Sequence, residues 1–138
     1  MSRIFDPTIG ALNTSLNLRL MNQNIISSNI ANSDTPGYKA KRIDFEQTLR
    51  SNLGVGDDVR MATVEEGHQA PQEIDPVDPI VYEDSNDIYS LDENTVDRGQ
   101  EMANLAENQI LYNTSVELLR KKLGILKYAI NEGGGGGH

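Results

Sequence analysis

The chain has 138 residues, 37% of them hydrophobic and only 5% aromatic, and its 21 acidic against 12 basic side chains leave a formal net charge of −9. A single domain of this size buries about two-thirds of its unfolded surface, and so few apolar residues do not suffice for one centre shared along the whole length. The lack of Cys excludes disulfides and thiolate metal sites, and with no basic face to neutralise phosphates a nucleic-acid partner is not expected.

The first segment, "MSRIFDPTIGALNTSLNLRLMNQNIISSNIAN", is interrupted every few residues by Asn, Ser or Arg. It therefore predicts neither a cleavable signal nor a membrane span. From about Pro7 to Asn32, Ile9, Leu12, Leu16 and Leu20 fall on one helical stripe, with Leu18, Met21 and Ile25 on an adjoining one, so the expected helix has a broad and irregular apolar surface. The stretch "SSNIANSDTPGYKAKRIDFE", Ser27 to Glu46, then breaks it. Pro36 lacks an N–H and disfavours helical geometry at Thr35, and Pro-Gly suits the centre of a type II turn. The helix must end by about Ser33 or Asp34, with Gly37 at positive φ. Asn29 and Asn32 lie three apart on one face, where their amides can bond carbonyls at the helix end or a neighbouring chain. "YKAKRIDFEQTL" reads as a short strand or a second helical turn.

The acidity belongs to the middle. Residues 54–98 hold thirteen Asp or Glu against Arg60 and Arg98, net −11, while residues 1–53 sum to +2 and 99–138 to zero. This is read as a solvated, partly irregular segment, with an acidic contact surface as the alternative. Pro71, Pro76 and Pro79 punctuate it, and Ile80 to Tyr82 is a candidate strand. There is no HExxH, no Gly-rich phosphate loop and no GxSxG. His68 has no second ligand at helical spacing, and calcium loops begun at Asp84 or Asp92 lack the Gly and Glu they need. No catalytic, cofactor-binding or metal-binding residue is assigned, and an enzyme is not expected.

From Met102 onward, Met102, Leu105, Gln109, Tyr112, Val116, Leu119, Leu123, Leu126 and Ile130 recur at alternating steps of three and four. This is a heptad seam with one polar break at Gln109, on a helix about 42 Å long. Asn94, Thr95 and Asp97 are N-cap candidates, and Arg120, Lys121, Lys122 and Lys127 gather toward its C-terminus. Such a seam needs a partner, either the N-terminal helix or another subunit. The predicted fold is mainly α: long N- and C-terminal helices form an antiparallel coiled-coil-like hairpin around an irregular, partly β acidic middle. Residues 1–35 are the N-terminal helix, 36–95 the turn motif and acidic middle, 96–131 the C-terminal helix, and 132–138 a flexible tail whose "GGGGGH" reads as linker or tag.

The two ends carry a resemblance. "SSNIANSDTPGYKAKRIDFE" resembles the N-terminal signature shared by rod and hook proteins of the bacterial flagellum. "NTVDRGQEMANLAENQILYNTSVELLRKKLGILKYAI" is similar to the C-terminal helix of the flagellar basal-body rod protein family, and the matched segments cover about 1–50 and 92–131. The short length, "DFE" after the turn and the "KKLGILKYAI" ending are closest to its proximal rod members. "VRMATVEEGH" is similar to a weaker family stretch, while the acidic insert around Pro71 to Asp87 and the glycine tail depart from the pattern.

The resemblance implies a structural subunit of the periplasmic rod, exported by the flagellar type III system, that polymerises through its terminal helices into a hollow, torque-transmitting shaft. It implies an assembly motif of Asn29, Ala31, Asn32, Thr35, Pro36, Gly37 and Tyr38, and a subunit seam of Leu12, Leu16, Ile25, Leu105, Tyr112, Val116, Leu119, Leu123, Leu126 and Ile130. The implied partners are the chain itself, the rod proteins FlgC, FlgF and FlgG, the rod-base protein FliE, the MS ring and the export apparatus, without direct membrane insertion. The alternative is a helical adaptor or export-chaperone-like protein whose hairpin binds a partner helix.

Overall fold

Proline at a helix start has no N–H to leave unpaired, and Pro7 opens α1 (Pro7–Ala31) in the computed structural model, which describes residues 7–54, 77–84 and 91–134. The helix closes where Pro36 requires. Asn32 N donates to Ser28 O at 3.0 Å and Ser33 N to Ile30 O at 3.2 Å, after which Tyr38 N donates to Thr35 O at 3.2 Å across Pro36 and Gly37. Gly37 has φ +72°, the left-handed value that the third position of a type II turn requires.

"YKAKRIDFEQTL" makes both of the elements held open for it. Strand β1 (Lys41–Ile43) is followed by helix α2 (Phe45–Leu53). Asp44 caps α2 by accepting from Gln47 N at 2.9 Å, and Gly54, at φ +66°, ends it by donating to Arg50 O. Strand β2 (Val81–Glu83) begins one residue later than the sequence suggests and pairs antiparallel with β1, Arg42 opposite Tyr82. Thr48 Oγ1 accepts from Ile80 N at 2.9 Å and ties this small sheet to α2.

Asp97 is the cap of α3 (Arg98–Gly134), its carboxylate accepting from Gln100 N at 3.1 Å. At 37 residues the helix is about 55 Å long. It runs antiparallel to α1: Asn29 meets Glu101, and seven residues away on each helix Asn22 meets Asn108. Continuing that register brings the start of α1 level with about Lys122, so among the described residues α3 outruns α1 by about three turns.

The interior is unusually polar. Among the described residues Leu18, Ile26, Ala40 and Val77 are the buried apolar ones, against Asn29, Thr48, Asn94, Thr95, Glu101 and Asn108. The line that α3 turns toward α1 is not the one the heptad series marks. Leu105, Tyr112, Leu119 and Leu126 are half-buried, but the line beside them is Glu101, Asn108, Ser115 and Lys122. The rest of that series has Val116 half-buried and Met102, Gln109, Leu123 and Ile130 exposed. The reason is hydrogen bonding: α1 presents Asn22 and Asn29 at this face, and only polar side chains opposite can satisfy them. On α1, Leu12, Leu16 and Ile25 are half-buried and Leu20 is exposed, while Leu18 and Ile26 take the enclosed positions.

A Cβ added at Gly37 would meet nothing within 4 Å, so substitution there strains only the backbone. Gly37→Val is expected to cost about 1–2 kcal/mol, and Gly37→Asn less, because Asn tolerates the left-handed region. Urea unfolding of the two purified variants checks the order.

Candidate assembly site

The C-terminal carbonyls of a helix have no partner within it, and at the end of α1 they are met by a side chain far along the chain. Asn94 Nδ2 donates to Asn32 O at 3.0 Å, Ser33 O at 3.0 Å and Thr35 O at 2.8 Å, while its Oδ1 accepts from Val96 N at 2.8 Å. The same strip fastens the turn. Gly37 N donates to Asp92 O at 2.7 Å, Thr95 N to Tyr38 O at 3.1 Å, and Lys39 Nζ to Glu93 O at 2.9 Å. Thr95 Oγ1 accepts from Ala40 N, and Arg98 bonds both Ser33 and Asp34. Asn94 and Thr95, read from sequence as N-cap candidates for α3, thus hold the end of α1 and the chain after it.

Asn29 is fully buried, and all of its amide's capacity is used. Its Nδ2 donates to Lys41 O at 2.9 Å and Glu101 Oε2 at 3.2 Å, and its Oδ1 accepts from Lys41 N at 3.0 Å and Tyr38 OH at 3.3 Å. It joins α1, β1 and α3 within one chain. Asn32 stays local, donating to Ser28 O at 2.8 Å and accepting from Thr35 Oγ1 at 3.2 Å. Of the remaining motif residues, Ala31, Thr35, Pro36 and Gly37 are exposed and Tyr38 is half-buried.

Glu101 is the other end of this network. Its carboxylate is fully buried in the first turn of α3 and forms an ion pair with Arg42 Nη2 through Oε1 at 2.5 Å. Arg42 also reaches Asp84 at 3.4 Å. Burial acts to lower the Arg42 pKa, but hydrogen bonding and charge from Glu101, then from Asp84, raise it above the ordinary arginine value. A raised base contributes stability that is complete below its unfolded pKa and lost only as pH climbs through the folded one. The contribution of Arg42 is therefore constant across the neutral range and is lost only in strong alkali.

A second apolar surface of α3 escaped the heptad reading. Ile110, Leu118, Ile125 and Tyr128 are half or more exposed and fall within an arc of roughly 80° to one side of the α1-facing line, at about 100° per residue. The spacing of eight, seven and three could have revealed it, but the longer 102–130 series drew the assignment instead. Among the described residues no helix is long and apolar enough to cross a membrane, and no cluster of His, Asp and Glu is placed to hold a metal. His68 and most of the acidic segment lie outside the described residues.

Residues 11–39, which hold most of α1 and the whole Pro-Gly turn, match the family model described as flagella basal body rod protein. A flagellar basal body rod protein FlgB from Aeromonas hydrophila is 37% identical over 131 residues, covering 92% of this chain and 96% of that one. The chain belongs to the FlgB family. Its FlgB relative in Yersinia enterocolitica is 37% identical over 108 residues, 75% of this chain and 79% of its own, and that of Bacillus subtilis is 32% identical over 131 residues, 94% and 98%. FlgB-family proteins are structural proteins of the flagellar basal-body rod, which is the place and the coarse function of this chain. The FlgB family is not an enzyme family, and the adaptor alternative gives way to a rod subunit.

Removing Arg42 while leaving Glu101 enclosed is expected to cost about 3–5 kcal/mol, whereas replacing both by apolar residues recovers most of the loss. Thermal unfolding of Arg42→Met, and of Arg42→Met combined with Glu101→Leu, checks this.

Proposed function

We propose that this chain is a proximal rod subunit that polymerises through its terminal helices into the hollow shaft crossing the periplasm and transmits torque there, after export by the flagellar type III system. The observation that carries this reading is the exposed apolar surface of α3. Ile110, Leu118, Ile125 and Tyr128 on one side, with Met102, Leu123 and Ile130 on a flank, stand in solvent on a helix whose first part already packs on α1 and whose last turns run past it. A long helix in an acidic chain gains little from such exposure alone, and a recurring line of exposed apolar side chains fits contact with another protein.

The partners that fit are further copies of the chain and the adjoining rod proteins FlgC, FlgF and FlgG, with FliE and the MS ring at the base. A layer of such helices, each about 55 Å long, resists twisting because interlocked side chains cannot slide without opening voids. The assembly motif plays an indirect part in this reading. Its buried members, Asn29 above all, set the angle at which α1 and α3 leave the turn, while Thr35, Pro36 and Gly37 lie at the surface where a neighbour can meet them.

Leu123→Asp tests the flank directly. Leu123 is 48% exposed in the single chain, so the change is expected to shift chain stability by no more than about 0.5 kcal/mol. In an assembled layer the carboxylate would be desolvated at a cost of several kcal/mol. Export is expected to continue while rod assembly and swimming fail. Leu119→Asp, at a half-buried position, should also lower the stability of the chain itself. Normal swimming with Leu123→Asp would remove this flank from the subunit contact.

A further inference from the structure

Arg19 stands apart from the networks above. It sits half-buried on α1 with its guanidinium 4.1 Å from the centroid of the Phe45 ring, and its Nε is enclosed without a hydrogen-bond partner. It takes part in none of the ion pairs among the described residues. Burial lowers its pKa, and the charge of Glu107 only partly offsets this. A cation withdrawn from water without a bonded anion is costly, and the Phe45 face supplies only part of what is lost.

The guanidinium borders a cleft of about 220 Å³ between the two long helices and the β1–β2 sheet, where Asn22, Arg42, Tyr82, Asn104 and Glu107 also contribute. Arg42 is already committed to Glu101 and Asp84. Asn104 accepts from Gln100 through Oδ1 at 3.1 Å, which leaves its N–H donors for the cleft. The volume admits one side chain and not a helix. Arginine held over a ring at the edge of an opening is suited to bidentate capture of a carboxylate.

We propose that this cleft receives a carboxylate side chain from a second copy of the chain, with Arg19 as its receptor. The proposal rests on the rod-subunit reading, because identical copies must lie side by side for the contact to form. Charge complementarity selects the occupant: 21 acidic against 12 basic side chains give every copy surplus carboxylates, and among the described residues Arg19 has no ion-pair partner, Glu107 acting on it through its charge alone. Phe45 holds the guanidinium in place beforehand, so little side-chain freedom remains to be lost when the contact forms.

The test is photo-crosslinking from position 104 in basal bodies purified from cells whose sole copy of the gene encodes the variant. An adduct between two copies is expected, and Arg19→Gln should reduce its yield per incorporated subunit on the order of tenfold or more, with Arg19→Lys retaining part. A separate variant, Asn104→Glu, adds a second carboxylate to the cleft beside Glu107 and should lower incorporation without loss of helix content. An adduct only to a different protein, no adduct, or a homotypic adduct indifferent to Arg19→Gln overturns the proposal. So does normal incorporation of Asn104→Glu. Absence of the wild-type chain from the basal bodies would instead overturn the rod-subunit reading.

Discussion

A carboxylate buried between the two long helices is the interaction on which the rest of the structure depends. Glu101 meets Arg42 from β1 and Asn29 from α1, so one side chain of α3 fixes both elements against it. The gain in such a contact is modest, because desolvation offsets most of the attraction. Its weight lies in what it forbids. Sliding α3 along α1 by one turn would leave a charge and an amide enclosed without partners, each costly to bury alone. Register here is selected by polar satisfaction rather than by apolar fit.

That choice explains which parts of the fold were legible in the sequence. Pro36 and Gly37 announced the end of α1 and its turn, since a missing N–H and a left-handed φ leave few alternatives. The length and direction of α3 followed from its apolar period and from Asp97. Its rotation did not follow. A periodicity argument finds an apolar line without saying what covers it, and so could not tell that Glu101, Asn108, Ser115 and Lys122 turn toward α1 while Met102, Leu123 and Ile130 are exposed. Hydrogen bonds between residues 86 apart, such as Asn22 to Asn108, leave no local pattern from which they could be read. The reach of Asn94 back to α1 was hidden for the same reason: a polar residue just ahead of a helix looks like that helix's own cap.

The division of α3 into a polar face toward α1 and apolar faces toward solvent suits a subunit that must keep one internal geometry while meeting neighbours. Hydrogen-bonded contacts inside the chain tolerate little variation in angle. Apolar contacts are non-directional and can follow small changes of tilt between neighbours. A tube built from such parts would hold each subunit rigid and place its adaptability between subunits.

The clamp of Asn94 on the end of α1 has a consequence for the order in which the chain folds. Its donor lies 59 to 62 residues beyond the carbonyls it satisfies, and Glu101 is 72 residues beyond Asn29. A chain that emerges from its N-terminus first must present α1 long before either partner exists. Until then the helix end is uncapped and Asn29 must find water, and α1 lacks the tertiary packing from which most helical stability comes. Closure of so wide a loop precedes the contacts that reward it. Native structure therefore arrives late and in one step, when the second helix returns to the first.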